Sequence, residues 1–397
     1  MATPADTSPP TATPEPSRPR KAWLLGLLLV LILVGVGAWA WYSLVGRWHE
    51  STDDAYVNGN VVEITPLVTG TVTSIGADDG DLVHAGQVLL QFDPADSEVA
   101  LQSAEAKLAR TVRQVRGLYS NVDALKAQLQ TRQAELQKAR DNYNRRKILA
   151  DSGAIAGEEI AHARDDLSVA QSALDSARQQ LNTSTALVDD TVVSSHPEIM
   201  AAAADVRQAY LDHARTTLVA PVTGYVAKRT VQLGQRLQPG TATMAVIPLD
   251  QLWIEANFKE TQLRAMRIGQ PVDVSADLYG SEVKYSGTVD SLGAGTGSAF
   301  ALLPAQNATG NWIKIVQRVP VRIHLNPDQL KDHPLRIGLS TQVDVDLHDQ
   351  SGPALAQQPP QQASYTTQVY DRQLVDADQL IARLIHDNSA AGKTAQR

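Results

Sequence analysis

The 397-residue sequence contains no cysteine, which excludes disulfide bonds, thiolate catalysis and metal sites with cysteine ligands. Aromatic residues are scarce, at 5% of the chain, and this composition favours long helices and β-structure over a large aromatic core. Basic residues are also fewer than acidic residues. The net charge of −8 argues against a nucleic-acid binder, because binding to phosphates requires a basic face.

The motifs of common catalytic and metal centres are also missing. The nine histidines are scattered, with no H-x-x-x-H or H-E-x-x-H pairing, and the sequence has no G-x-S-x-G elbow and no P-loop. Segment 293–297 is rich in glycine, but no lysine follows it to bind a phosphate. We therefore predict a protein that is not an enzyme, with no catalytic, cofactor-binding or metal-binding residues.

One long apolar run lies near the N-terminus. Residues 22–45 carry no charge, and as a helix they measure about 36 Å, enough to cross a hydrocarbon core of about 30 Å. The alternative is a cleaved signal peptide, whose apolar stretch is usually about 7–15 residues and ends in a small-residue cleavage site. This run is longer and has a poor cleavage site, so we predict a retained transmembrane helix.

The charges on either side of this run predict its direction. Arg18, Arg20 and Lys21 precede it, whereas acidic residues dominate soon after Arg47. The positive-inside rule then places residues 1–21 in the cytoplasm as a disordered tail, and the rest of the chain outside the cytoplasm.

The most informative pattern is an internal repeat. Residues 68–94 and 222–248 align without a gap at an offset of 154. The shared positions are Val68/Val222, Thr69/Thr223, Gly70/Gly224, Val72/Val226, Gly80/Gly234, Gly86/Gly240 and Pro94/Pro248. The pattern looks like the two halves of a biotinyl/lipoyl carrier domain, predicted at 67–94 and 219–248. Segment 68–94 contains no lysine and the junction between the halves is replaced, so carrier chemistry is excluded.

The segment between the two halves, 95–218, is predicted to be an α-helical coiled-coil hairpin. Apolar or aromatic residues recur every seven positions. On the first leg they are Leu101, Leu108, Val115, Val122, Leu129, Leu136, Tyr143 and Ala150; on the return leg they are Ile160, Leu167, Leu174, Leu181 and Val188. The hairpin could be a dimerisation coiled coil, or an arm that carries a contact site at its tip, residues 145–158.

After the second half, segments that alternate apolar and polar residues predict an antiparallel β-barrel at 249–348, with its first strand in 46–66. One such segment has Val272, Val274, Ala276 and Leu278 on its apolar face. The nearly uncharged loop 293–310 carries Phe300, Leu302 and Leu303, which either contact a partner or lipid or close the barrel end. Residues 349–397 are predicted to be a flexible tail with a short helix near 371–385. The fold class is therefore α+β.

Several segments resemble EmrA-type membrane fusion proteins of the wider HlyD family. They are 52–59 (TDDAYVNG), 256–262 (ANFKETQ), 266–272 (MRIGQPV), 295–300 (GTGSAF) and 303–314 (LPAQNATGNWIK). The resemblance implies a single-pass inner-membrane protein of a Gram-negative bacterium, with its main body in the periplasm. It also implies a multidrug efflux adaptor between a major facilitator drug/proton antiporter and a TolC-like outer-membrane channel, with self-association into a ring or tube.

The resemblance extends to the hairpin tip, with one departure. Adaptors that dock to a channel carry Arg, then three residues, Leu, six residues and Ser. Arg145 and Leu149 match this motif, but Ala156 occupies the Ser position. The alternative function is an adaptor of the same build for type I protein secretion, with an ABC exporter. A carrier-enzyme subunit is a more distant third hypothesis.

Overall fold

The computed structural model describes residues 20–44, 46–188, 191–300 and 316–390. It confirms the α+β class, the long helical hairpin and the closed barrel. The helices are α1 (Arg20–Leu44), α2 (Ala95–Asp151), α3 (Gly157–Thr185), α4 (Pro197–Ala214), α5 (Pro327–Asp332) and α6 (Asp371–Ala390). The strands are β1 (His49–Asn58), β2 (Val62–Ile64), β3 (Gly70–Ile75), β4 (Leu82–Val83), β5 (Val88–Phe92), β6 (Thr217–Val219), β7 (Gly224–Ala227), β8 (Arg236–Leu237), β9 (Met244–Ile247), β10 (Trp253–Lys259), β11 (Pro271–Ala276), β12 (Lys284–Leu292), β13 (Arg318–Leu325) and β14 (Ser340–Asp346).

The chain divides into two compact units, residues 1–60 with 248–364 and residues 61–247 with 365–397. The first unit begins with α1. The segment Trp23–Trp48 contains an 18-residue window with a mean hydropathy of 2.5, and it is long and apolar enough to cross a membrane. The leucine and valine side chains of residues 23–44 are exposed, as a lipid-facing helix requires.

The rest of the first unit is a closed six-stranded barrel, in the order β1-β10-β13-β12-β11-β14. Its core is formed by the inward side of each strand, because side chains alternate between the two faces of a strand. Ile254, Ala256 and Phe258 of β10 are completely buried. The expectation that Leu278 faces the core is wrong: β11 ends at Ala276, and Leu278 is 55% exposed beyond it.

The second unit contains two four-stranded sheets, β2-β9-β7-β4 and β6-β5-β3-β8. Each sheet takes strands from both halves of the repeat, so neither half can form its sheet alone. Strand β2 had been expected in the barrel with the rest of 46–66, but its residues pair with β9 here.

The two halves pair with the same register about a pseudo-twofold axis. The amide of Gly80 donates to the carbonyl of Val226 at 2.9 Å, and 154 residues later the amide of Gly234 donates to the carbonyl of Val72 at 2.8 Å. The symmetry also includes β2 and β6. Ile64 of β2 pairs with Met244, and at the equivalent positions of the other half Leu218 of β6 pairs with Leu90. The structural repeat therefore begins before the sequence repeat.

The insertion between the halves is a hairpin, with α2 packed against α3 and, near its base, against α4. Every predicted heptad position on α2 is buried or half-buried, and so is every one on the return leg. At the base, Leu108 and Val112 of α2 pack with Ile199 and Val206 of α4. Helix α4 begins at Pro197, where the side chain of His196 accepts a hydrogen bond from the amide of Glu198.

The C-terminal segment is more ordered than a flexible tail. Its first residues bind the barrel, since the side-chain amide of Gln270 donates to the carbonyl of Asp349 at 2.7 Å. Helix α6 is longer than predicted and packs against α2 and α4. Ala377 is completely buried and Ile381 is 6% exposed. Arg207 of α4 binds Asp378 at 2.6 Å.

Candidate functional site

The tip of the hairpin is a tight turn closed by backbone hydrogen bonds. The amide of Ala154 donates to the carbonyl of Leu149 at 2.9 Å, and the hydroxyl of Ser152 donates to the same carbonyl at 2.8 Å. Gly153 has a φ of +76°, which a side chain would disfavour. Arg146 bridges the legs by donating to the carbonyl of Glu159 at 3.2 Å. These contacts fix the shape of the tip.

Fixed in this way, the tip presents apolar surface next to a cation. Ile148 is 70% exposed and Leu149 is 42% exposed. Arg145 is exposed and donates along its own helix, to the side chain of Asn142 at 3.0 Å. Exposed apolar side chains clustered at the end of a rod are typical of a contact with another protein.

Ala156 lies at the same end of the hairpin and has a specific position there. It is the N-cap of α3, with extended backbone angles and no side-chain cap. Serine at an N-cap accepts a hydrogen bond from the first turn of a helix, whereas alanine cannot. Glu158 and Glu159 in the first turn offset part of this loss through the helix dipole. Arg145, Leu149 and Ala156 thus all lie at the end of the hairpin where α2 turns into α3.

The second predicted contact site, on the barrel loop, is only partly within the described residues. Phe300 is 75% exposed, and a Cβ added to Gly295 would lie 2.7 Å from its ring. The ring therefore covers the backbone at Gly295. Leu302 and Leu303 lie outside the described residues.

The resemblance segments contain a polar network that sequence reasoning did not assign. Asp54 of β1 accepts hydrogen bonds from Arg318 at 2.7 Å and from the side chain of Asn257 at 3.3 Å. The hydroxyl of Thr52 donates to the backbone carbonyl of Asn257 at 3.0 Å. Residues that carry the resemblance on β1 and β10 thus bind each other, and Asp54 also binds Arg318 of β13.

Aromatic and imidazole rings cluster near the residues that connect α1 to the first barrel strand. Trp48 stacks on His348 with 5.0 Å between ring centroids, and His49 binds Asp344 at 2.7 Å. The backbone N–H and ring of His348 hold the pKa of Asp346 below its ordinary value. The sequence pattern gave no signal for this cluster, because the two histidines are almost 300 positions apart.

Across the described parts of the chain, no group of three or more His, Asp or Glu residues could hold a metal ion.

Comparison with known proteins identifies the family. Residues 95–216 match the α-helical hairpin domain of EMRA, and residues 251–346 match the AAEA-like β-barrel domain. The multidrug export protein EmrA of Escherichia coli K12 is 49% identical over 313 residues, which cover 79% of this chain and 80% of that protein. The chain belongs to the EmrA family.

Other EmrA proteins are similar as well. The multidrug export protein EmrA of Haemophilus influenzae is 42% identical over 342 residues, covering 86% of this chain and 87% of that protein. Among solved structures, the periplasmic adaptor protein EmrA is 20% identical, covers 76% of this chain and 99% of that chain, and has a TM-score of 0.38. EmrA proteins are membrane fusion adaptors and not enzymes, as the absence of catalytic motifs predicted.

Proposed function

We propose that this EmrA-family chain is the periplasmic adaptor of a multidrug efflux pump. It links a major facilitator drug/proton antiporter of the inner membrane to a TolC-like channel of the outer membrane. Several copies assemble into a ring or tube. Helix α1 holds the chain in the inner membrane with its N-terminus in the cytoplasm, in line with the basic residues that precede the apolar run.

The observation that carries the proposal is the hairpin with its exposed tip. Helix α2 has 57 residues, which corresponds to a rod of about 85 Å. Both ends of the insertion connect to the split β-domain. The tip is therefore the end of the hairpin that lies opposite this domain. A rigid arm that ends in Arg145, Ile148 and Leu149 suits docking to a distant protein.

The barrel loop is the second proposed contact. Phe300 is largely exposed beside a glycine-rich segment, and exposed aromatic residues are frequent anchors of protein interfaces. We assign this loop to the inner-membrane transporter.

Crosslinking from Leu149 tests the docking role, and the absence of cysteine makes the experiment clean. Leu149→Cys, labelled with a photoreactive maleimide in cells, is expected to capture the outer-membrane channel. Val99→Cys is the matched control, because Val99 is 67% exposed but lies at the other end of α2. The control is expected to capture little or no channel.

Two results would count against the proposal. One is membrane-inserted Leu149→Cys protein that captures no channel, and the other is equal capture from both positions. The inner-membrane protein that co-purifies in the same preparations decides the class of transporter. A proton-driven carrier is expected, whereas an ABC exporter would point to the secretion adaptor.

A further inference from the structure

A cavity of about 210 Å³ lies on the pseudo-twofold axis of the split β-domain. Its apolar walls come from equivalent positions of the two halves, 154 residues apart: Ile64 with Leu218, and Leu67 with Pro221. Residues of β2 from one sheet and of β6 from the other line the cavity. The cavity is therefore a product of the repeat and lies away from both the hairpin tip and the barrel loop along the chain.

One cation faces this apolar cavity. Arg215 lines it from the C-cap of α4, and its Nε atom is buried with no hydrogen-bond partner. The Nε atom itself is shielded from solvent, but Arg215 lines the cavity, and an anion there would pair with the positive charge of its guanidinium group. Glu63 also lines the cavity but is exposed, so its charge remains hydrated.

The C-terminal segment forms the remaining wall. The hydroxyl of Thr367 donates to the carbonyl of Pro221 at 2.7 Å and so holds the segment against the cavity. Tyr370 lines the cavity just before α6 begins. The Tyr370 phenol, like any tyrosine, is protonated at neutral pH and can donate a hydrogen bond, and burial raises its pKa further.

We infer that this cavity is a binding site for a small amphipathic monocarboxylate. The carboxylate pairs with Arg215, and the hydrocarbon body packs against Ile64, Leu67 and Leu218. The small volume and apolar walls favour one compact hydrocarbon group. A doubly charged anion such as a phosphate is disfavoured relative to a monocarboxylate, because repulsion from Glu63, which also lines the cavity, grows with the charge of the anion. The inference does not depend on the bridging role proposed above.

Titration calorimetry on the full chain in lipid nanodiscs tests the site, with octanoate as the probe and octanol as its uncharged counterpart. Empty nanodiscs provide the blank, because both probes partition into lipid. Octanoate is expected to bind one site per chain at least about tenfold more tightly than octanol, since a charge-assisted hydrogen bond forms with Arg215.

Two substitutions are expected to change the octanoate affinity in opposite directions. Arg215→Gln should weaken it about tenfold, whereas Glu63→Gln should strengthen it, because a like charge is removed from the rim. Arg178→Gln, at an exposed position on α3, is the matched control and should change nothing. Circular dichroism confirms that each variant is folded.

Three outcomes would overturn the assignment. They are equal affinity of octanoate and octanol, an unchanged affinity in folded Arg215→Gln protein, and an equal loss in the Arg178→Gln control. If Arg215→Gln perturbs the fold, Arg215→Lys replaces it. Retained preference for octanoate over octanol in that variant supports the site, and loss of the preference contradicts it.

Discussion

At the scale of single residues, two glycines make the symmetric pairing of the split domain possible. Gly80 and Gly234 occupy equivalent turns with φ of +91° and +77°, and each donates its amide across to the other half. A side chain at such a φ costs roughly 1–2 kcal/mol, of which part is recovered because alanine restricts the unfolded chain. We expect Gly80→Ala and Gly234→Ala each to destabilise the split domain by about 1 kcal/mol.

Amide hydrogen exchange of β3 and β7 measures this effect, because it reports the opening of these sheets separately from the barrel. Gly117→Ala is the control, because Gly117 lies inside α2 and a Cβ added there would meet no atom within 4 Å apart from its chain neighbours and its own helix backbone. Alanine there should stabilise the helix by up to about 1 kcal/mol. If one of the two turn substitutions destabilised the domain much more than the other, the two turns would contribute unequally to stability despite their equivalent hydrogen bonds.

At the scale of secondary-structure elements, α6 turns the base of the hairpin into a three-helix cluster. Ile381 lies at its centre with Leu108 and Ile199. Ile381→Ala removes buried apolar volume and is expected to destabilise the docked helix by about 2–4 kcal/mol, enough to release it in part. Faster amide exchange in residues 371–390 checks this. Val375→Ala, at a position 53% exposed, should leave exchange unchanged. Unchanged exchange in Ile381→Ala would show that α6 is held by its polar contacts alone.

The same elements show what the sequence could predict and what it could not. The heptads of α2 and α3 are long and regular, so their buried stripe was visible in advance. The docking of α6 was not, because an amphipathic helix that follows a Pro- and Gln-rich segment carries no signal for its partner. Strand β2 was misplaced for a related reason: three residues show no periodicity, and only the paired register with β9 assigns them.

The candidate sites divide in a similar way. The tip segment could be located from the helix break between the two legs, and the resemblance to channel-docking adaptors then singled out Arg145, Leu149 and Ala156 within it. The cavity at Arg215 could not, since its walls come from segments separated by 154 positions and from the distant Tyr370. A non-local site of this kind depends on how the two halves pair. The shared glycines indicated that there are two equivalent halves, but not which side chains meet between them.

At the scale of the whole molecule, the proposed bridging role requires a fixed hairpin length. Deletion of residues 129–135 and 170–176 removes one facing heptad from each leg, keeps both seams in register and shortens the arm by about 10 Å. We expect a folded, membrane-inserted protein that no longer supports drug resistance. A second variant carries the same deletions but duplicates residues 136–142 and 163–169, which restores the length with a different local sequence, and it should restore resistance.

The two variants are compared by measuring drug tolerance in cells that lack the native adaptor. Full resistance of the shortened variant would refute a length-dependent bridge, and failure of the length-restored variant would assign the loss to the deleted residues themselves.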